Sequence, residues 1–532
     1  LAVDAFNHEA VQRLRERKKR DEKPFAVMAS NLEKARKLAK MDVMEERLLV
    51  ANEAPIVIVK KDPNSTVSPQ VSPKNGWLGL ILPYTPIHHL LASEFNALVM
   101  TSANISDEPI CCEEEDALQR LSGIADYYLS HSRRIHIRED DSVLRAFQGR
   151  PLFYRRARGY APRAVGLPFQ ISPILAVGAE LKSAVCIAQG GSAFLSQHIG
   201  DLQNIATFDS FRHTIEHLCG LLEIKPTAVA CDLHPDYMST VYAGELGLPV
   251  TPVQHHHAHM AACMAENGLE GEAIGIIFDG TGLGSDGNIW GGEFIVGGYD
   301  GLSRAGHFRT LPLPGGDVAV REPWRMALSY LYQVLGAQSL KLDLPVVRCL
   351  SESEKSLFTV MLEKGLNSPL TSSCGRLFDA VAALLNIRHV VSYDGQAAME
   401  MEALAENVED ERVYPFDIIS HEGEPFQIDF SVMFPELLSD LAAEVPTAVM
   451  ARRFHSTVAA ASIQAAFRIK LEFGIDRVVI SGGVFQNRLL SEMVYNGLTK
   501  IGLQVFTHRL TPPNDGCIAL GQAAVAGWQR KV

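Results

Sequence analysis

Four histidines fall within five positions in Gln254-His255-His256-His257-Ala258-His259. Neutral imidazole is the commonest protein metal ligand. On a helix, His255 and His259 lie four residues apart on one face, where both can aim a nitrogen at one ion. A single His-x-x-x-His pair means little in a chain with 18 histidines, so the density of the cluster carries the reading. The plain alternative is a polar, partly exposed helix start. A metal site would need carboxylates from elsewhere in the chain, and a set of imidazoles and carboxylates suits iron or zinc.

Glycine-rich junctions form the second group. Apolar runs at 274–278 and 477–480 lead into Asp279-Gly280-Thr281-Gly282 and Ser481-Gly482-Gly483, and a run at 174–177 leads into Gly178-Ala179-Glu180-Leu181-Lys182. A strand ending in such a turn can leave bare backbone N–H groups where a phosphate can sit, because glycine permits close approach. Any one of them could be an ordinary tight turn. Three at wide spacing point to a nucleotide site split between two lobes.

A third group lies near the start, where Arg15, Arg17, Lys18, Lys19 and Arg20 crowd together. Such a run often marks a solvated helix face. Thr101-Ser102-Ala103-Asn104, however, follows the apolar run 97–100 and offers hydroxyl and amide groups at a strand end. Further on, Arg155-Arg156-Ala157-Arg158 could meet phosphate or could pair at a domain junction.

These groups require a scaffold of strands and helices. Short apolar runs at 55–59, 78–82 and 97–100 alternate with helical segments at 31–39 and 114–121, while the Pro/Ser/Asn-rich stretch 62–76 reads as a loop or hairpin insertion. The result is an α/β domain over residues 1–167. A joint near 166–173 leads to a second α/β segment, 174–532, with helices expected at 210–222 and 457–473. A chain of 532 residues exceeds what one core serves. Its composition, 47% hydrophobic and 21% charged, is that of a folded protein. A net charge of −13 disfavours wrapping a nucleic-acid backbone. No apolar run reaches membrane-spanning length, and no basic start precedes a short apolar segment. Nine scattered cysteines without a Cys-x-x-Cys pair fit a reducing cytoplasm.

The second segment resembles the actin-like (ASKHA) carbamoyl and threonylcarbamoyl transferases through Asp279-Gly280-Thr281-Gly282, Gly375-Arg376-Leu377-Phe378-Asp379, and Ser481-Gly482-Gly483-Val484 with Asn487. The resemblance implies that Gly280, Thr281, Gly282, Gly482 and Gly483 face phosphate. It also implies that Asp379 and Asn487 hold the nucleoside and that Lys182 is a phosphate contact. Asp279 and Asp515, the latter within Pro512-Pro513-Asn514-Asp515-Gly516, match acidic positions that would join His255 and His259 around an iron or zinc ion. The first segment resembles the YrdC domain. By that match Lys18 and Arg20 contact the phosphates of ATP and its Mg²⁺ complex, Ser102 and Asn104 contact nucleotide or carboxylate, and Ser142 contacts the nucleotide. The basic run also allows Arg17 with Lys19, and Ser102 and Asn104 stand one residue closer than the family spacing.

Domain order distinguishes the families that combine these parts. A YrdC-like part preceding a metal-containing part is similar to the HypF family of hydrogenase-maturation carbamoyltransferases; O-carbamoyltransferases acting on antibiotics carry the reverse order. Ser196-Gln197-His198-Ile199-Gly200-Asp201, Asp232-Leu233-His234-Pro235-Asp236 and Arg321-Glu322-Pro323-Trp324-Arg325 extend the resemblance. It implies a cytoplasmic enzyme that adenylates carbamate, derived from carbamoyl phosphate, with ATP and passes the carbamoyl group to the C-terminal cysteine of a HypE-like acceptor. Neither nucleic acid nor membrane is expected as a partner. The acylphosphatase and zinc-finger parts usual in that family have no counterpart in this sequence. The rival readings are a small-molecule O-carbamoyltransferase and an actin-like kinase or ATPase.

Overall fold

In the first apolar runs side chains alternate: in Ile56–Lys61 Val57 and Val59 are fully buried, and in Trp77–Ile81 Leu78 and Leu80 are. That period of two is what a sheet with one face against a core demands. The computed structural model describes residues 1–105 and 108–531. It divides into two compact units, residues 1–252 with 508–532, and residues 253–507.

The first unit holds two sheets. In the first, the described strands run in the order Ala2–Asp4, Ala97–Met100, Ala26–Ala29, Trp77–Ile81, Ile56–Lys61, Val143–Phe147, Arg150–Arg155, with Ala39–Lys40 beside Ile56–Lys61. The pairing is mixed; Ala26–Ala29 runs parallel to Trp77–Ile81 and Ile56–Lys61 parallel to Val143–Phe147. The stretch 62–76 is the long connection of an antiparallel pair. Helices His8–Arg17, Leu32–Leu38, Val43–Leu49 and Pro86–Ser93 start where Asn7, Asn31, Asp42 and Thr85 accept a backbone N–H in the first turn. Asp42 and Glu45 form a full capping box.

The second sheet orders Cys186–Leu195, Ala164–Ala176, Ala228–Asp232 and Val250–Val253. Its longest strand, Ala164–Ala176, runs straight through 166–173, the stretch that reads as a joint. Gly166, Pro168 and Pro173 are punctuation residues, yet the strand passes through them, and Val165, Leu167, Ile171, Ile174 and Leu175 are buried along it. Helix Ile205–Leu222 covers one face through Phe211, Ile215 and Leu218. The late helix Ile518–Trp528 also returns to this sheet: Gln522 accepts the N–H of Gly178 at 2.8 Å and donates to its carbonyl at 3.1 Å.

The two sheets of the first unit are pinned by Arg156. Its guanidinium donates to the carbonyls of Tyr160 at 2.8 Å, Arg163 at 2.9 Å and Leu195 at 3.3 Å. Arg158 donates to Asp141 and to the carbonyls of Glu53 and Ala54. The arginines of 155–158 that could have met phosphate thus include two that serve the junction.

The second unit is built on a mixed sheet whose described strands include, in order, Asp417–Ile419, Phe426–Asp429, Leu302–Phe308, Ile289–Gly297, Ala273–Leu283, Arg477–Ser481 and Gln504–Thr507. The last three are parallel to one another; Ala273–Leu283 and Arg477–Ser481 are buried on both faces for most of their length, as inner parallel strands require, while Gln504–Thr507 lies at the more exposed edge. Helices Cys374–Leu384 and Thr447–Phe473 bring Phe378 and Phe454 into an aromatic core that includes Phe278, Phe294, Phe308 and Phe485. Among the described residues, no helix is long and apolar enough to cross a membrane.

Gly178 tests the join of sheet and late helix. It sits at φ +74°, and a Cβ there would run into the carbonyl oxygen of Ala184. Gly178→Ala is expected to cost more than about 1 kcal/mol, read as a lower midpoint in thermal unfolding.

Candidate metal centre and anion pocket

Gln254 starts the histidine helix. Its side-chain oxygen accepts the N–H of His257 at 2.8 Å, and its amide donates to the carbonyl of Leu283 at 3.0 Å. Helix His255–Glu266 is buried along its whole length, so the cluster is not the exposed polar start that was the alternative. His255 and His259 are 1% and 0% exposed. Their Nε2 atoms lie 3.4 Å and 3.5 Å from one oxygen, Oδ2 of Asp279. The other two histidines do different work: His257 Nε2 meets the carbonyl of Gly298 at 2.7 Å, and His256 Nδ1 meets the Gln254 amide at 3.0 Å.

Asp279 is held from both sides. Burial alone would push its carboxyl up, but the imidazoles of His255 and His259 hold it well below the usual carboxylate range. Its Oδ1 accepts the N–H of Gly483 at 3.1 Å. Ser481, absent from the residues singled out by sequence, lies 3.1 Å from His259 Nδ1. With Nε2 as the ligand atom, Nδ1 carries the proton and donates to that hydroxyl, the outer-shell arrangement that fixes a ligating imidazole. The ligand atoms of the two histidines and Asp279 lie within 4.8 Å of one another. Two nitrogens and a carboxylate oxygen converging in a buried pocket fit a zinc or iron ion.

The glycines differ from expectation. Strand Ala273–Leu283 does not end at Asp279; it continues through Gly280, Thr281 and Gly282 after a bulge and pairs again with Ile289–Gly297. The bulge turns Asp279 toward the histidines without ending the strand. A Cβ on Gly282 would meet His256 at 2.7 Å and His255 at 2.8 Å, so this glycine makes room for imidazole. Gly482, at φ +103°, passes so close to the Phe278 carbonyl that a side chain has no space. Across from Gly280, Ser373 caps helix Cys374–Leu384 and donates to the carbonyls of Asp279 and Gly280, each at 2.8 Å.

Asp379, on that helix, pairs with Arg376 at 2.9 Å. Burial pushes its carboxyl up to about 6 despite the guanidinium. Arg376 Nε is buried without a hydrogen-bond partner, and Nη2 of the same residue faces Gly280; the motif contained this unmet donor but the sequence did not single it out. Asn487 caps helix Arg488–Lys500, and its amide lies 2.9 Å from His455 Nε2.

In the first unit Lys18 is 1% exposed. Its ammonium donates to the carbonyls of Ser102 at 2.8 Å and Asn104 at 2.6 Å, and to Asn104 Oδ1 at 2.9 Å. The Ser102 hydroxyl donates to the same Oδ1 at 2.6 Å. Burial, then the Arg20 charge, lowers the ammonium to about 8. Lys18, Ser102 and Asn104 thus come together. Arg17 points away, donating to Asp126 and the Ile124 carbonyl. Arg20 donates to the carbonyls of Lys23 and Pro24 over the Phe25 ring. The Ser142 hydroxyl accepts the Ala157 N–H and donates to the Arg158 carbonyl. Lys182, at φ 49°, sits in the turn after Ala164–Ala176, and Asp515 opens the short turn Asp515–Cys517.

Comparison with known proteins matches three family models: a Sua5/YciO/YrdC model described as telomere recombination over residues 1–157, a HypF Kae1-like domain over 170–266, and the second subdomain of a Kae1-like carbamoyltransferase domain over 275–522. The carbamoyltransferase HypF2 of Cupriavidus necator is 42% identical over 99% of this chain and 70% of its own length. The chain belongs to the HypF carbamoyltransferase family. The HypF of Rhizobium leguminosarum bv. viciae is likewise 42% identical, over 99% of this chain and 68% of its own. A crystal structure of full-length HypF in a phosphate- and nucleotide-bound form superposes with a TM-score of 0.95 at 40% identity, covering 99% of this chain and 82% of that one. The expected α/β plan, a YrdC-like domain followed by Kae1-like carbamoyltransferase domains, therefore holds.

His455 gives this family member a pH-dependent term. Its Nδ1 meets the Ala451 carbonyl at 2.7 Å and its Nε2 faces the Asn487 amide, so the neutral ring fits; burial lowers it from 6.5 to about 4. The stabilisation is complete above pH 6.5 and is lost as the unfolded chain takes up a proton between pH 6.5 and 4. His455→Gln should remove on the order of 2 kcal/mol of that acid dependence, measured by urea unfolding at pH 7 and pH 4.5.

Proposed function

We propose that this carbamoyltransferase serves hydrogenase maturation by coupling ATP to carbamoyl transfer in two half-reactions. In the first, within residues 1–167, a carbamate oxygen attacks the α-phosphorus of ATP; the bond to the bridging oxygen breaks and pyrophosphate leaves, giving carbamoyl-adenylate. In the second, within residues 174–532, a thiol gives up its proton and its sulfur attacks the carbamoyl carbon. The carbon–oxygen bond to AMP breaks. The acceptor is the C-terminal cysteine of a HypE-like protein, and the thiocarbamate is the precursor of a cyanide ligand.

The observation that carries this reading is Lys18. Its ammonium gathers the Ser102 and Asn104 oxygens at one buried point, a place where a positive charge can meet a triphosphate with its Mg²⁺ or a carboxylate. Such a pocket accelerates adenylation by positioning and by stabilising charge on the departing pyrophosphate. Ser102 and Asn104 orient the acyl donor, Arg20 adds positive potential, and Ser142 holds the wall of the pocket. The nucleotide-bound crystal form of a close relative supports a nucleotide role.

In the second half-reaction His255, His259 and Asp279 would hold an iron or zinc ion. Bound there, the ion would supply Lewis acidity to a phosphoryl or carbonyl oxygen. Gly280, Thr281, Gly282, Gly482 and Gly483 would line the phosphate side, and Asp379 and Asn487 the nucleoside side, with Arg376 as an added cation. The enclosing walls protect a mixed anhydride that water would destroy. Burial raises the thiols of Cys186 and Cys374, which suits inert packing, and the nucleophile in this reading is the acceptor's.

Exchange of labelled pyrophosphate into ATP, dependent on carbamoyl phosphate or supplied carbamate, tests the first half-reaction. Lys18→Met should lower exchange by more than about 100-fold, and absence of exchange in the folded wild type would refute adenylation. His255→Ala should keep exchange while losing bound metal by elemental analysis and stopping transfer to the acceptor. Loss of exchange in a folded His255→Ala chain would place the half-reactions wrongly.

A further inference from the structure

Outside the sites above, the first unit brings three more histidines together. His213 and His217 stand four apart on helix Ile205–Leu222, on the side away from the buried Phe211, Ile215 and Leu218. Opposite them is His136, on the irregular segment before strand Val143–Phe147. His136 Nε2 faces His217 Nδ1 at 3.3 Å. Ring centres are 5.0 Å apart for His136 and His217, 5.6 Å for His136 and His213, and 6.4 Å for His213 and His217.

Those spacings have a direct chemical reading. With metal–nitrogen bonds of about 2.1 Å at tetrahedral angles, two ligating nitrogens lie about 3.4 Å apart and their ring centres about 5 Å apart. The His136–His217 pair already has both values, while the His213 ring centre, 5.6 Å and 6.4 Å from the other two, must move closer for all three to share one ion. The backbone is fixed for this arrangement. Arg138, two residues after His136, donates to the Ile110 carbonyl at 2.9 Å and to the Ala206 carbonyl at 3.4 Å. Gln197 bridges the Arg138 carbonyl to Thr214 on the same helix. The segment carrying His136 is therefore tied to the helix on the side where the imidazoles meet.

We propose that His136, His213 and His217 form a surface site for a borderline divalent cation such as Zn²⁺ or Ni²⁺, clasping the segment before Val143–Phe147 to helix Ile205–Leu222. Three imidazoles select such ions over magnesium or calcium, which prefer oxygen. Three protein nitrogens leave a fourth position open to water or to an incoming donor. Because His136 and His213 are exposed, the ion exchanges with solution. Four residues beyond His136, Asp140 acts electrostatically on Lys18, so the clasp fixes chain that leads directly to the anion pocket.

Zinc titration of the full chain against a competing chelator dye tests the site, with cobalt(II) absorption as a second readout of tetrahedral nitrogen ligation. Wild type should bind one equivalent more than His136→Ala, His213→Ala or His217→Ala, or bind that equivalent more than about tenfold tighter. His131→Ala, an exposed histidine five residues before His136, should match wild type. The difference should persist in a His255→Ala/His259→Ala background, which separates this ion from the buried one. Zinc should slow amide exchange over residues 125–138 in wild type and not in His213→Ala. Equal stoichiometry and affinity in all three single variants would overturn the proposal. An ion that survives His136→Ala unchanged would also overturn it, because the helix pair alone would then be the ligand set.

Discussion

A carboxylate taken out of water must be compensated by its surroundings or give up its charge, and in the second unit Asp279 is compensated from three sides. Two imidazoles of one helix approach the same oxygen, and a backbone N–H from the turn after the neighbouring parallel strand approaches the other. Remove that charge and the histidines lose their shared partner, the Gly482-Gly483 turn loses its anchor, and the bulge loses its reason. The surrounding glycines follow from the same constraint: Gly282 clears space for the rings and Gly482 for the Phe278 carbonyl. The group that would bind a cation thus also organises the unit without one.

Lys18 is the mirror case in the first unit, a buried cation solvated by carbonyl and amide oxygens. Oxygens gathered around a buried charge offset part of the cost of taking it out of water. Under the proposed function the first site would gather negative charge as it is created, and the second would offer coordination where the acyl group is released.

Much of this was legible in the sequence. The density of imidazoles in 255–259 located the helix and the pair that shares Asp279, and the run of basic residues near the start contained Lys18. The alternating strands at 56–61 and 77–81 were equally plain. Other features resisted. A bulge leaves the same apolar-then-glycine signature as a turn, so Asp279-Gly280-Thr281-Gly282 read as a strand end. Gly166, Pro168 and Pro173 read as a joint, yet one strand passes through all three. Arg376 was inside a motif that drew attention to Asp379, and Ser481 differs from an ordinary turn serine only by standing opposite His259, a contact that spans 222 positions of chain. His136 lies 81 positions from His217; no local pattern announces that meeting.

The pairing of Gln522 with Gly178 joins residues 344 positions apart within a single unit. Ribosomal synthesis delivers the sheet at 164–253 long before the helix that covers it, with the whole of 253–507 emerging in between. The inserted unit can acquire its own core first, since its contacts close within its own span. The sheet must meanwhile wait with an apolar face unshielded, the condition in which nascent chains associate wrongly or recruit chaperones. Burial of that face therefore has to await the synthesis of residues 518–528.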